Sequence, residues 1–359
     1  MRTVYYFNRN ISRIATNLAD FEERFNLYAD FVYQISPKTS PSITLLLGGI
    51  NTSATNKRLF IRKLPRNAVL QILFIIHILR RSARPKTLIL GDNDLSLILG
   101  WIASRFVKDV KLQISLHASV DHILNPVGII SRIRKQIFFW SLSRVQSIRM
   151  VSKTDIKRLE TLLPDFGPEV ILAPIPIKIP LDEVNTLTKK KIAFIGRIHY
   201  ERGLQDFIEI MSLLSQGNGD SHILVVGDGP KLDWFRKEVS TFTSNAEFKG
   251  GLNQEEVRRL WPEVRILVSC ALTESYGLTL REALLNGSFV VARANPTTLE
   301  IESKFPNQFK TYRTPREAVV EIEKFRIAAF DIVDVGHYRR QLLEEQQSFL
   351  MNLARSWVV

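Results

Sequence analysis

Apolar residues along this chain fall into short β-branched runs, separated by longer stretches in which they recur every three or four positions. In the first half the runs predict strands at Thr3–Asn8, Ile43–Gly48, Thr87–Gly91, Lys111–His117, Ser147–Ser152 and Glu169–Leu172. The longer periodicity predicts helices at Ile11–Phe25, Leu95–Phe106 and Ile129–Leu142. In the second half the strands read Lys191–Gly196, His222–Gly227, Ala246–Gly250, Arg265–Cys270 and Phe289–Ala292. Helical patterns follow at Leu204–Leu214, Lys231–Val239, Gln254–Trp261 and Leu278–Asn286. Alternation of this kind points to parallel sheets wrapped by helices, an α/β chain of doubly wound type.

The alternation is broken once. Ala173-Pro174-Ile175-Pro176-Ile177-Lys178-Ile179-Pro180 has spaced prolines that no helix tolerates, and a polar stretch follows to Lys191. The expected organisation is an αβ domain over 1–173, a linker over 174–190, a second αβ domain over 191–330 and a polar helical tail over 331–359 that could pack back on the first domain. The length of 359 residues suits two domains. No internal sequence repeat is visible.

Composition narrows the function classes. The single cysteine, Cys270, excludes an intramolecular disulfide and a multi-cysteine metal site. The net charge of +13 is unevenly placed. Residues 1–180 hold 26 Lys and Arg against 12 Asp and Glu, whereas residues 181–359 hold 23 against 24. No acidic residue stands between Asp30 and Asp92, and ten basic ones do. One half is therefore expected to face an anionic partner: nucleic acid, a membrane surface or a phosphorylated substrate.

The N-terminus does not read as a secretory signal, and no window reaches the roughly 18 apolar residues of a spanning helix. The nearest is Ala68–Leu79, flanked by Lys57, Arg58, Arg62, Lys63, Arg66, Arg80, Arg81 and Arg84. It reads either as a core helix or as a helix in the membrane interface, and the sequence leaves both open.

Candidate chemistry gathers in the second half. Gly196 ends a strand, and Arg197 and Arg202 follow at its carboxyl end, where open α/β sheets bind ligands. Two guanidinium groups there could clamp a diphosphate; alone they could equally be solvated surface arginines. The segment Thr273-Glu274-Ser275-Tyr276-Gly277-Leu278-Thr279-Leu280-Arg281-Glu282 follows another strand. Gly277 and Leu278 open a helix whose first amides can receive an anion. Glu274 and Glu282 could accept hydrogen bonds from sugar hydroxyls; the plainer alternative is capping plus an exposed glutamate.

Four ordered elements together resemble the retaining glycosyltransferases of family 4, also called group 1. These are Gly196-Arg197…Arg202-Gly203, Val226-Gly227-Asp228-Gly229-Pro230, Phe248-Lys249-Gly250, and Glu274 to Glu282 followed by Ala283-Leu284-Leu285-Asn286-Gly287. The resemblance is strong over Lys191–Ala294 and weaker elsewhere.

It implies the GT-B fold, two Rossmann-like doubly wound parallel-sheet domains facing a central cleft, with the acceptor on the first and the nucleotide sugar on the second. Arg197 and Arg202 would hold the donor diphosphate, with Arg202 standing where the family usually has lysine. Glu274 would contact the transferred sugar and Glu282 the ribose. Gly196, Ser275, Tyr276 and the amides of Gly277, Leu278 and Thr279 would line the donor site. Gly250, Gly251 and Leu252 would lie near the base, and His117, ending a first-half strand, would reach the sugar.

The family's glycine-rich loop after the first strand is missing. Asn8-Arg9-Asn10-Ile11-Ser12 stands there, with Asn10 and Ser12 as acceptor-side candidates. The linker likewise opens on Ala173-Pro174 in place of Asn-Gly.

The implied activity is transfer of a sugar from a nucleoside diphosphate sugar to a glycan or lipid-linked saccharide, with retention and without metal or cofactor. The setting expected is surface polysaccharide or glycolipid synthesis, in the cytoplasm at the inner face of the cell membrane. The basic half would rest on anionic lipid. The competing readings are an inactive sugar-nucleotide-binding GT-B protein and a basic nucleic-acid-binding protein, although no nucleic-acid signature is present and none is expected as partner. A nicotinamide site fails because Leu232 occupies the third glycine position after Gly227 and Gly229. A glycosidase using Glu274 and Glu282 would leave the arginines unexplained.

Overall fold

The computed structural model describes residues 1–9, 18–37, 42–48, 50, 54–55, 58–91, 94–117, 120, 129–164, 167–180, 188–216, 222–328 and 332–359. The chain divides into two compact units, Met1–Pro176 with Glu345–Val359, and Ile177–Glu344.

The first unit contains β1 (Thr3–Asn8), α1 (Leu18–Ile35), β2 (Ile43–Leu47), β3 (Ala54–Thr55), β4 (Leu59–Lys63), α2 (Ala68–Arg80), β5 (Lys86–Gly91), α3 (Asp94–Ser104), β6 (Val110–Leu116), α4 (Ile129–Leu142), β7 (Ser147–Met150), α5 (Lys153–Leu162) and β8 (Glu169–Leu172). The sheet order is β3-β4-β2-β1-β5-β6-β7-β8, parallel except for the β3–β4 pair. β1 shows why its sequence is apolar throughout. Val4 and Tyr6 join a core under α1, while Tyr5 and Phe7 join a core under α2, α3 and α4. Both faces of a parallel sheet are covered, so both side-chain sets are buried.

The second unit contains β9 (Lys191–Ile195), α6 (Leu204–Ser215), β10 (Ile223–Val226), α7 (Leu232–Ser240), β11 (Ala246–Gly250), α8 (Gln254–Leu260), β12 (Val264–Ser269), α9 (Leu278–Leu285), β13 (Phe289–Arg293), α10 (Pro296–Lys304), β14 (Phe309–Tyr312) and α11 (Pro315–Ile327). Its sheet is parallel with the order β11-β10-β9-β12-β13-β14. Here too the strands alternate. Ile192 and Phe194 enter the core with α6, and Ala193 enters the core with α9 and α10.

The last helix, α12 (Ile332–Val358), begins in the second unit and ends in the first. Its end is fixed there by polar contacts as well as by burial. Trp357 Nε1 donates to Gln113 Oε1 at 2.6 Å, Thr87 Oγ1 donates to the Trp357 carbonyl at 2.6 Å, and Arg2 N–H donates to the Val358 carbonyl at 3.0 Å.

Several elements depart from the expected pattern. The first helix is described over Leu18–Ile35 and runs on past the expected end at Phe25; the expected start at Ile11 lies outside the described residues. Its stripe Phe21, Phe25, Tyr28, Ala29 and Val32 continues at helical spacing well past Phe25, and all five are buried. The strands β4 and β14 were not expected; each mixes cations or a polar residue into a short run, LFIRK and FKTY, and so lacks a clean apolar signal. Helices α10 and α11 also lie beyond the expected set. Both start with proline directly after an N-cap residue, Asn295-Pro296 and Thr314-Pro315.

Candidate functional site

The strand order of the second unit fixes where a ligand can enter. From β9 the chain moves to β10 on one side, whereas from β12 it moves to β13 on the other. The loops leaving the carboxyl ends of β9 and β12 therefore diverge and open a crevice between them, the usual ligand position in a doubly wound sheet. Both groups of residues singled out in the sequence stand on these loops.

The structure joins them directly. Arg202, at the end of the short turn Tyr200–Arg202, donates from Nη1 to Glu274 Oε2 at 3.0 Å. Glu274 is held from behind: Thr297 Oγ1 donates to the Glu274 carbonyl at 2.6 Å and to the Ser275 carbonyl at 3.3 Å. Thr297 is itself fixed at the start of α10, where its amide and that of Thr298 donate to Asn295 Oδ1. Further along the loop, Arg281 Nε donates to the Tyr276 carbonyl at 3.0 Å, and its guanidinium lies 4.4 Å from the Tyr276 ring centroid. A charged side chain buried this far needs such partners, and here they shape the loop that carries Glu274.

Gly277 caps α9, whose first helical bond runs from Arg281 N–H to the Gly277 carbonyl. The amides of Leu278, Thr279 and Leu280 thus precede the ladder at the positive end of the helix. Glu282 lies four residues after Leu278 on the same helix face and is half-buried. Gly196 follows β9 directly. Gly250 ends β11, with exposed Gly251 and half-buried Leu252 next to it.

Arg197 is placed differently from Arg202. Its side chain is 72% exposed, and its nearest carboxylate is Glu201 at 3.7 Å. The two arginines are thus unequal: one is anchored on Glu274 and one is extended into solvent.

His117 belongs to the first unit, just past β6. Its Nε2 lies 3.1 Å from Ser115 Oγ, while Nδ1 is buried without a hydrogen-bond partner among the described residues. Burial first, then the charges of Arg149 and Arg24, hold its pKa well below the ordinary histidine value. The ring is therefore neutral near pH 7. Arg149, which the sequence pattern did not single out, is buried at the carboxyl end of β7. It donates to the Ala173 and Pro174 carbonyls at 2.9 and 3.2 Å and to Tyr28 Oη at 2.7 Å. Asn10 and Ser12 lie outside the described residues. Thr297, Asn295, Arg281 and Arg149 were missed from sequence. The Asn295-Pro296-Thr297 helix start carried a signal for the first two; the arginines look like any surface cation until their burial is known.

Among the described residues no three His, Cys, Asp or Glu side chains gather as a metal site. Cys270 stands at the end of β12 beside these loops. Burial pushes its thiol up to about 12. The native protein is expected to show no reaction with a thiol reagent at pH 8 until it is unfolded, because the thiolate is the attacking form. Labelling of the folded chain at the rate of the denatured chain would contradict this placement.

Residues 179–325 match the family model described as "Glycosyl transferases group 1". The 2-deoxystreptamine glucosyltransferase of Streptomyces kanamyceticus is 24% identical over 220 residues, which cover 55% of this chain and 56% of that protein. The match thus spans about half the length of that relative. Among solved structures, a sucrose-phosphate synthase from Thermosynechococcus elongatus superposes with a TM-score of 0.74 at 11% identity, covering 99% of this chain and 98% of the other. WaaG, a glycosyltransferase involved in lipopolysaccharide biosynthesis, gives 0.66 at 12% identity, covering 99% of each chain. At such identities the likeness shows the fold, which is that of GT-B proteins. By the match over 179–325, the second unit of this chain is similar to the group 1 glycosyl transferases.

Proposed function

We propose that the chain transfers a sugar from a nucleoside diphosphate sugar to a glycan or lipid-linked saccharide, with retention at the anomeric carbon. The observation that carries this reading is the Arg202–Glu274 pair on the β9 and β12 loops, beside the amino end of α9. One ligand would need both a cation for its diphosphate and a carboxylate for its hydroxyls within a few ångströms, and a nucleotide sugar has both groups.

In the reaction the bond between C1 and the diphosphate oxygen breaks, and a bond from C1 to the acceptor oxygen forms on the same face. The acceptor proton passes to the departing phosphate oxygen. Negative charge grows on the diphosphate as the sugar becomes oxocarbenium-like. Arg202, Arg197 and the amides of Gly277, Leu278 and Thr279 supply the positive potential there, and in this reading no metal or cofactor takes part. Glu274 orients the sugar and is not assigned as nucleophile. Glu282 holds the ribose, and the segment Gly250-Gly251-Leu252 faces the base. His117, neutral near pH 7, is assigned to the sugar by the family resemblance alone. The acceptor belongs to the first unit. The biological setting we infer is surface polysaccharide or glycolipid synthesis, with the chain at the inner face of the cell membrane.

A thermal-shift screen of nucleoside diphosphate sugars tests the reading. One donor is expected to stabilise the chain by about 2.7 kcal/mol at a hundred times its Kd. The same donor should release nucleoside diphosphate on incubation. Folded protein that shows neither effect with any such donor would overturn the reading.

A further inference from the structure

Six large apolar side chains stand exposed along one rim of the first unit, and we propose that this rim seats the chain on an anionic lipid bilayer. The strands β4, β5 and β6 run parallel to one another through β2 and β1, so α2, α3 and α4 all begin at the carboxyl end of the sheet. The helices pack side by side, α2 on α3 and α3 on α4. Within their first two turns they expose Val69, Leu70, Leu73, Leu95, Ile129 and Ile133. On α2 the exposure is 62% for Val69, 53% for Leu70 and 57% for Leu73.

The orientation of α2 is unexpected for a helix facing water. Gln71 points inward and is buried, with Nε2 donating to the Pro65 carbonyl at 2.7 Å and Oε1 buried without a partner among the described residues. A polar side chain has gone in while leucines have stayed out. That arrangement is unfavourable in water and becomes favourable when the outer face is covered by an apolar phase.

Charge selects the phase. Arg62, Lys63, Arg66 and Arg132 are exposed at the same rim, and residues 59–75, from β4 through the first two turns of α2, contain no Asp or Glu. A second copy of the chain would bring this basic rim against itself and be repelled. A nucleic acid would satisfy the cations and leave the leucines in water. An anionic bilayer satisfies both, with apolar side chains at the headgroup boundary and cations over the lipid phosphates. Helix α2 has 13 residues, about 20 Å of helix against roughly 30 Å of hydrocarbon, so it lies along the surface. No helix among the described residues is long and apolar enough to cross a membrane. The rim is at the carboxyl end of the sheet, the end at which α/β domains bind ligands, so a lipid-borne acceptor would arrive on the correct side. Bilayer binding itself does not depend on the proposed transfer activity.

Vesicle flotation of the full chain tests the proposal. The chain is expected to float with vesicles containing phosphatidylglycerol and to stay behind with pure phosphatidylcholine. Substituting Arg62→Gln, Lys63→Gln and Arg66→Gln together should weaken binding about a hundredfold. The pair Leu70→Asn and Leu73→Asn should weaken it at least tenfold with the melting temperature retained. Leu73→Trp keeps an apolar residue, and its fluorescence should be quenched by brominated acyl chains. Failure of the unaltered chain to float would overturn the proposal. So would undiminished binding of a folded Leu70/Leu73 variant, an unquenched tryptophan at 73, or a wild-type dimer that the leucine substitutions dissociate without any effect on vesicles.

Discussion

Arg202→Ala is expected to lower donor turnover by about 10²–10³-fold while leaving the chain folded. The residue supplies two things that alanine removes together. Its guanidinium is the positive charge nearest to Glu274, and its bond to that carboxylate fixes the side chain that would meet the sugar. Loss of Arg202 leaves Glu274 without this partner in a half-buried position, so donor binding and orientation suffer along with charge stabilisation.

Arg202→Lys separates these effects. Lysine keeps the charge that the related family places here but presents a single point instead of a fork, so turnover is expected between that of the alanine variant and the wild type. Glu274→Gln keeps the shape and removes the negative charge. The double variant Arg202→Ala with Glu274→Gln should fall much less than the product of the single losses, because the residues act as one unit. Arg197→Ala and Glu282→Ala are also expected to reduce turnover strongly. For all of these the measurement is release of nucleoside diphosphate from the donor identified by thermal shift. Wild-type turnover in folded Arg202→Ala would remove the basis of the proposed function.

The charge asymmetry also has a structural location. The second unit, nearly neutral in sequence, carries Arg202 and Arg197 as local cations beside carboxylates that pair with them, Glu274 and Glu201. The basic excess of the first half instead includes a rim where cations alternate with exposed leucine, valine and isoleucine. The excess behind the total of +13 therefore lies in the first half, part of it at this rim, and not at the Arg202–Glu274 site.

Much of this was legible in the sequence because parallel sheets buried on both faces write long apolar runs. The strands at Thr3–Asn8, Glu169–Leu172 and Ala246–Gly250 and the helix at Ile129–Leu142 occur with the expected limits. Misses came where pattern and structure separate. LFIRK is a strand whose last two side chains face water, and α1 continues past Phe25, where its expected limit fell. At the candidate site, the pairing of Arg202 with Glu274 across 72 positions depends on two loops meeting, which no local period encodes. Gln71 is the reverse case. A helical wheel would place it outward, and only the structure shows that it is buried while its leucine neighbours are not.

Gly203→Ala is expected to destabilise the chain far more than Gly250→Ala, although both glycines hold nearly the same left-handed backbone, φ +65° and +69°. An alanine in that region costs about 1 kcal/mol at either position. The surroundings differ. A Cβ at Gly250 would meet nothing within 4 Å, whereas at Gly203 it would stand 2.0 Å from the Cys270 carbonyl oxygen. That oxygen is backbone at the end of β12, so it can yield only if the β9 and β12 loops move apart. A total of about 3 kcal/mol or more is therefore expected at 203, in the range of backbone strain combined with overpacking. Urea denaturation of the two variants measures the difference. Cys270 reports where the movement occurs, since a displaced β12 end should expose the thiol to labelling in folded Gly203→Ala and not in Gly250→Ala. Turnover should fall with it, because Arg202 immediately precedes Gly203 and its partner Glu274 rides on the loop that has to give way. Equal stabilities for the two variants would show that the close approach of these loops is slack, and that Arg202 and Glu274 are held by their mutual bond alone.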